Sequence, residues 1–233
     1  MISIYNGNCY EILSKLIKDG VKVDAIIIDP PYEIDYAEWD KEQNWKQLFD
    51  LFAKITKLNA NIIIFQGWSS VCNTIANIPP NMELKNWIIY DRIKGRGGKT
   101  NVVSTREDIL WIVKDKNNYT FNKIPSSIKK KTGGLGLKNG CQFRALSNVW
   151  TDISPIVPWS KERVNHPTQK PVQLMERCVK LWTNEGDVVL DCFMGSGSTG
   201  VACKNLNRGF IGIELGREEF NIAQKRLQEE INK

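Results

Sequence analysis

Four short stretches of the chain are apolar almost without interruption: VDAIIID at 23–29, ANIIIFQ at 60–66, DVVLDCF at 187–193 and GFIGIEL at 209–215. A strand with one wet face alternates apolar and polar side chains. A continuous run rich in Ile and Val needs cover on both faces, as in a parallel sheet sandwiched between helices. Amphipathic stretches supply that cover. CYEILSKLIK (9–18) sets Tyr10, Leu13, Leu16 and Ile17 on one side, and WKQLFDLFAKITKL (45–58) spaces Leu48, Leu51, Phe52 and Ile55 at helical intervals. KPVQLMERCVKLW (170–182) opens with Pro171, suited to a first helical turn, and REEFNIAQKRLQEEI (217–231) carries acids in its first turn. Alternating strands and helices predict an open, doubly wound α/β sheet that is mostly parallel. NWIIYDR (86–92) and EDILWIVKD (107–115) flank the basic, glycine-rich IKGRGGKTNVVSTR (93–106) and predict an antiparallel hairpin at one sheet edge.

The chain's 233 residues fit one domain, or one domain with an insert. Charge locates the insert. Between Lys114 and Asn165 there are ten Lys/Arg against three Asp/Glu, so the whole excess of a chain with net charge +6 lies in one internal segment. That segment includes the glycine-rich KTGGLGLKNG (131–140) and has neither helical nor alternating periodicity, which predicts a loop-rich insert facing a polyanion. The six cysteines show no C-x-x-C spacing and His166 is the only histidine, so no metal site is expected and reduced thiols fit best. No apolar run reaches the roughly 18 residues of a membrane span, and the first residues lack the pattern of a signal peptide. A cytoplasmic protein without membrane contact is expected.

The stretch VVLDCFMGSGSTG (188–200) reads as a strand, an acid, a glycine-rich turn and a helix starting near Ser198. Gly195, Gly197 and Gly200 satisfy G-x-G-x-x-G, a spacing that permits a tight turn and close approach of a nucleotide-type ligand. The lysine of a phosphate-binding P-loop is absent. Glu214 ends the next strand, where an acid suits a ribose diol. A dinucleotide and S-adenosylmethionine both fit this pattern, and the glycine turn alone does not separate them.

AIIIDPPY (25–32) drives a buried strand into Asp29 and then into two prolines. Asp29 and Asp191 each close a strand, and in a doubly wound sheet such ends border one crevice. Pro30 and Pro31 have fixed φ and no N–H, so they hold an extended turn and leave the Pro30 carbonyl free as an acceptor, while Tyr32 offers a flat face. A carboxylate, a carbonyl and an aromatic ring together suit a planar group with an exocyclic amine. Two acceptors aimed at the amine hydrogens stabilise the positive charge that develops as its nitrogen attacks an electrophilic methyl.

With these residues in view, the sequence resembles an amino-group DNA methyltransferase. DPPY at 29–32 is similar to that family's catalytic motif, DCFMGSGSTG at 191–200 to its cofactor motif, and HPTQKP at 166–171 to the segment preceding the cofactor strand. TREDILWIVKD at 105–115 resembles a strand common in the beta class, whose permuted motif order this chain shares. The resemblance implies a Rossmann-like class I methyltransferase fold, with residues 1–115 and 165–233 as the catalytic and cofactor-binding domain and 116–164 as a target recognition insert. It implies S-adenosylmethionine as cofactor and methylation of adenine N6 in a specific duplex DNA sequence, with the base flipped. Asp29, Pro30, Pro31 and Tyr32 would be catalytic, Tyr32 by stacking on the base. Asn8, Cys9, Asp29, Thr168, Lys170, Asp191, Phe193, Gly195, Gly197 and Glu214 would hold the cofactor, Thr168 and Lys170 at its methionine end. Asn8 stands where relatives carry an acid, and the Cys9 backbone is an alternative contact. Lys129, Lys130, Lys131, Arg144 and Arg163 are the expected DNA contacts, with Lys94, Arg96 and Lys99 as a second group. His166 takes a structural or cofactor-shell role, because the N6 proton becomes acidic once the methyl is attached. A homodimer and a cognate restriction endonuclease complete the implied partners.

The nearest rival is cytosine-N4 methylation, whose enzymes more often carry Ser at the position of Asp29. RNA and protein methyltransferases with related motifs usually have N-P-P-Y after the cofactor motif. A nicotinamide oxidoreductase would leave DPPY idle, and a non-catalytic DNA-binding module would not need both intact motifs.

Overall fold

The computed structural model describes residues 1–32, 43–96, 99, 102–129, 143–164 and 168–229. In chain order these form β1 (Ile2–Asn6), α1 (Cys9–Lys18), β2 (Val23–Ile28), α2 (Trp45–Ile55), β3 (Thr56–Gln66), α3 (Val71–Ala76), β4 (Glu83–Arg96) and β5 (Ser104–Val113). There follow β6 (Pro125–Lys129), β7 (Phe143–Ala145), β8 (Val149–Trp150), α4 (Val172–Trp182), β9 (Val188–Asp191), α5 (Ser198–Asn205), β10 (Gly209–Glu214) and α6 (Arg217–Glu229).

Eight strands make one sheet in the order β1-β10-β9-β2-β3-β5-β4-β8, and β6 pairs with β7 separately. The four continuous apolar runs are the parallel centre, β10-β9-β2-β3. Their side chains divide between two cores. Ile27, Ile63 and Val189 face Leu174, Cys178, Val201 and Phe220 of α4, α5 and α6. Ile26, Ile28, Ile62, Ile64 and Leu190 face Leu13, Leu16, Leu48 and Phe52 of α1 and α2. Cover on both faces is why no alternation shows in these strands.

The expected hairpin is present as β4 and β5, antiparallel from Glu83↔Val113 to Arg96↔Ser104. Its second strand, β5, lies against β3, and the two-residue β8 covers β4. Pro171 is the residue before α4 rather than its first helical residue, with ψ at 133°, and Thr56–Leu58 belong to β3 rather than to the preceding helix. The N-terminal strand β1 and the short α3 were not anticipated. The 116–164 segment reaches into the main core: Trp150 and Ile153 are buried there, and Asp152 forms a two-pronged ion pair with Arg177 of α4. Among the described residues no helix is long and apolar enough to cross a membrane.

The sheet order creates the site. From β9 the chain crosses through α5 to β10 on one side; from β2 it crosses through α2 to β3 on the other. β9 and β2 are parallel neighbours, with Ile26 paired to Leu190. The connections therefore leave their carboxyl ends in opposite directions and open a crevice between them. Two elements more than 160 residues apart in sequence, Asp29 and Asp191, come to border it.

Candidate active site

The crevice is a cavity of about 420 Å³, within the range of about 300–1,000 Å³ common for small-molecule and cofactor sites. Asn8, Cys9, Asp29, Thr168, Lys170, Asp191, Phe193, Gly195 and Glu214 all line it. Gly197 does not. It precedes α5 with φ +80°, and a Cβ there would sit 3.0 Å from that of Ala223, so its glycine serves the turn and the packing of α6. Sequence reasoning missed Gly7, Tyr10, Met175 and Gly216, which also line the cavity. The spacing of Gly7 before a helix cap was the one available signal.

The glycine turn is tied to the tip of β10. Gly195 N–H donates to Glu214 Oε2 and Gly216 N–H to Oε1, each at 2.8 Å. Burial pushes the Glu214 carboxyl up, and the two backbone donors oppose that shift. Asp191 accepts from Thr199 Oγ1 at 2.7 Å and from Phe193 N–H at 3.1 Å. It has no ion pair among the described residues, and burial raises its pKa to about 7. Next to Glu214, whose carbonyl accepts from Gly7 N–H at 2.9 Å, Asn8 caps α1, its Oδ1 accepting from Tyr10 N–H at 2.9 Å. That oxygen is thereby engaged in the helix cap. Cys9 meets the Cys192 side chain across the cavity wall. The hydrogen bond from this contact lowers the Cys9 thiol, while burial pushes Cys192 up.

At the other end of the cavity the DPPY turn is enclosed in charge. Pro30 is buried and Pro31 lines the cavity. The Tyr32 ring lies against Gly67, where a Cβ would approach to 3.2 Å, and its hydroxyl donates to Asp29 Oδ1 at 2.6 Å. Burial, then the Asp29 charge, pushes the phenol well above its usual range, so it remains a donor. Lys170 Nζ donates to Asp29 Oδ2 at 2.5 Å and to the Tyr32 oxygen at 3.2 Å, and stands 5.3 Å from the Tyr32 ring centre. Burial pulls the Lys170 ammonium down, but Asp29 and Glu107 outweigh it and hold the pKa above its ordinary value. Lys170 thus reaches Asp29 directly while also lining the cavity, where the sequence resemblance implied a contact with the cofactor.

The expected DNA contacts divide. The backbones of Lys94 and Arg96 end β4, whose direction matches β3 and β2, so they lie at the same carboxyl end of the sheet as Asp29. Lys99, Arg144 and Arg163 are exposed. Lys129 ends β6, a strand joined to the sheet edge through Ser127, which donates to Asp152 just past β8. The side chains of Lys94, Arg96 and Lys129, and the residues Lys130, Lys131 and His166, lie outside the described residues.

The doubly wound sheet has a glycine turn at its switch point and an acid ending the next strand, and its likeness to solved methyltransferases makes it a Rossmann-like class I methyltransferase fold. Residues 23–225 match the N6/N4 methyltransferase family described as DNA methylase. The chain is 32% identical to Type II methyltransferase M.HpaI of Haemophilus parainfluenzae over 97% of its own length and 74% of that protein. It is 32% identical to DNA adenine methyltransferase YhdJ of Escherichia coli K12, covering 97% and 82%. Its fold superposes on the crystal structure of the M1.HpyAVI-SAM complex with a TM-score of 0.72 at 34% identity, covering 97% of this chain and all of that one. The chain belongs to this DNA methylase family, and it is a DNA methyltransferase.

Proposed function

We propose that the protein transfers a methyl group from S-adenosylmethionine to the N6 amine of adenine in duplex DNA. One observation carries the reading: Asp29 of the DPPY turn and the Glu214-anchored glycine turn border the same cavity. The residues present fit the cofactor. Glu214 keeps lone pairs beyond its two backbone bonds for a ribose diol, Phe193 offers an apolar wall, and the cavity volume suits a molecule of that size. When bound, the cofactor supplies a sulfonium-activated methyl group.

The protein's own part is acceptance and orientation. Asp29 and the Pro30 carbonyl receive the two amine hydrogens and stabilise the charge that develops on the nitrogen. Pro31 fixes the turn, and Tyr32 stacks on a base that must leave the duplex to reach this depth. Thr168, which lines the cavity, takes the methionine portion of the cofactor. Residues 116–164 serve as the target recognition insert, anchored by Trp150 and the Asp152–Arg177 pair. Lys94, Arg96, Lys99, Lys129, Lys130, Lys131, Arg144 and Arg163 supply phosphate and base contacts. The same reading carries a cytoplasmic location, a homodimer and a cognate restriction endonuclease. The acid at position 29 favours adenine over cytosine N4.

Nucleoside mass spectrometry of DNA incubated with the protein and S-adenosylmethionine tests the reading. N6-methyladenine is the expected product. N4-methylcytosine, or unmodified DNA, would contradict it.

A further inference from the structure

We propose that Glu107 is a positioning residue for Asp29: its carboxylate receives the Lys170 ammonium when the target amine takes Lys170's place on the catalytic acid. The proposal rests on the reading of DPPY given above.

Both oxygens of Asp29 are taken in this structure, Oδ1 by the Tyr32 hydroxyl at 2.6 Å and Oδ2 by Lys170 at 2.5 Å. The amine gives Asp29 one hydrogen, and these two donors compete with it for the lone pairs of the carboxylate. The ammonium at Oδ2 also neutralises the charge that Asp29 would offer to a nitrogen becoming positive. When Lys170 yields, Oδ2 regains both its full acceptor capacity and its charge for the amine.

Glu107 gives it somewhere to go. This acid lies on β5, only 6% exposed, with Arg92 Nη1 3.5 Å from its Oε1 and Tyr90 opposite it in the ladder. Its Oε2 is 3.5 Å from Lys170 Nζ, an ion-pair separation too long for a full hydrogen bond, and it has no nearer donor among the described residues. A buried carboxylate oxygen left so is costly and is rare in native proteins. Closing 3.5 Å to the charge-assisted hydrogen-bond distance of about 2.8 Å satisfies it. One ammonium therefore sits between two acids and bonds fully to one at a time.

The lysine is built for that exchange. Its backbone is pinned by Ser198 Oγ, which donates to the Lys170 carbonyl at 2.8 Å, while the four-carbon stem leaves the charge free to swing. No proton need move, since Lys170 stays charged against either partner. Burial raises the Glu107 carboxyl, Asp29 raises it further, and Lys170 and Arg92 oppose them. With Lys170 drawn to Glu107, Asp29 meets the amine as an unpaired carboxylate.

The test is Glu107→Gln in the full chain, with Glu107→Asp beside it, under single turnover at saturating S-adenosylmethionine and substrate DNA. Glutamine keeps the shape and loses the charge that draws Lys170. Methyl transfer should fall about tenfold or more, the effect of losing a charged hydrogen-bond partner. Cofactor and DNA affinity should stay unchanged, and Glu107→Asp should recover most of the rate. Wild-type transfer by Glu107→Gln would overturn the proposal. So would equal loss in both variants with weakened cofactor binding, which marks a packing role. A wild-type protein that methylates no DNA would instead overturn the function on which the proposal rests.

Discussion

Asp152–Arg177 and Asp29–Lys170 are both buried acid–cation pairs, and they are built to opposite ends. The guanidinium of Arg177 meets both oxygens of Asp152 at 2.7 and 2.8 Å, and Ser127 adds its backbone N–H at 2.9 Å. Burial works against that carboxylate, but Arg177 and Ser127 hold it well below the usual carboxylate range. Lys170 offers a single point of charge shared with a second acid, Glu107, one of whose oxygens it leaves without a hydrogen bond. A saturated pair fixes the 116–164 segment to α4. An under-satisfied cluster, with one ammonium between Asp29 and Glu107, is what the proposed exchange of partners needs.

The largest expected effect strikes the saturated pair. Arg177→Met strands the buried Asp152 and removes the guanidinium from the Trp150 ring, 5.2 Å away. It should cost about 3–5 kcal/mol in urea unfolding. A cost near zero would erase the contrast between the two pairs.

Asp191 is the next probe, an acid with no cation beside it among the described residues. Its folded pKa, about 7, lies above the unfolded value, so the folded state binds the extra proton. The stability this contributes is fully present below about pH 4 and is lost as pH rises towards 7. The unfolding free-energy advantage of wild type over Asp191→Asn, read from urea melts, should therefore shrink across that window, by a few kcal/mol at most, and level off above it. An advantage that grows with pH would mean Asp191 is held ionised, like Asp152.

Glu214 tests whether backbone donors can ready an acid for a ligand. Glu214→Ala should weaken S-adenosylmethionine binding by about 1–3 kcal/mol in calorimetry. The smallest effect belongs to the surface pair Lys57–Asp24, at 2.7 Å with Lys57 half exposed. Lys57→Ala should cost less than about 1 kcal/mol in the same urea assay.

What the sequence revealed follows from the range of each interaction. The parallel centre was legible because every residue of VDAIIID or ANIIIFQ must be buried whichever strands adjoin it. CYEILSKLIK was legible to the residue as α1, since Asn8 supplies its cap locally. The edge strand β1 was not, because ISIYN pairs on one side only and is half exposed. Lys170 could be assigned to the crevice from HPTQKP, but its partner could not: Asp29 is 141 residues away, and their meeting depends on β9 settling beside β2. Glu107 was hidden for the same reason. In EDILWIVKD it reads as a polar residue opening a strand, and only the hairpin's docking on β3 turns it towards Lys170.

The account stands on Asp29 as the group that meets the developing charge on the target amine. Single-turnover methylation by Asp29→Ala, at saturating cofactor and DNA, measures that step apart from binding. The rate should fall at least about a hundredfold, the effect of losing one electrostatic partner in the transition state, while DNA affinity survives. Methyl transfer at the wild-type rate would contradict the account.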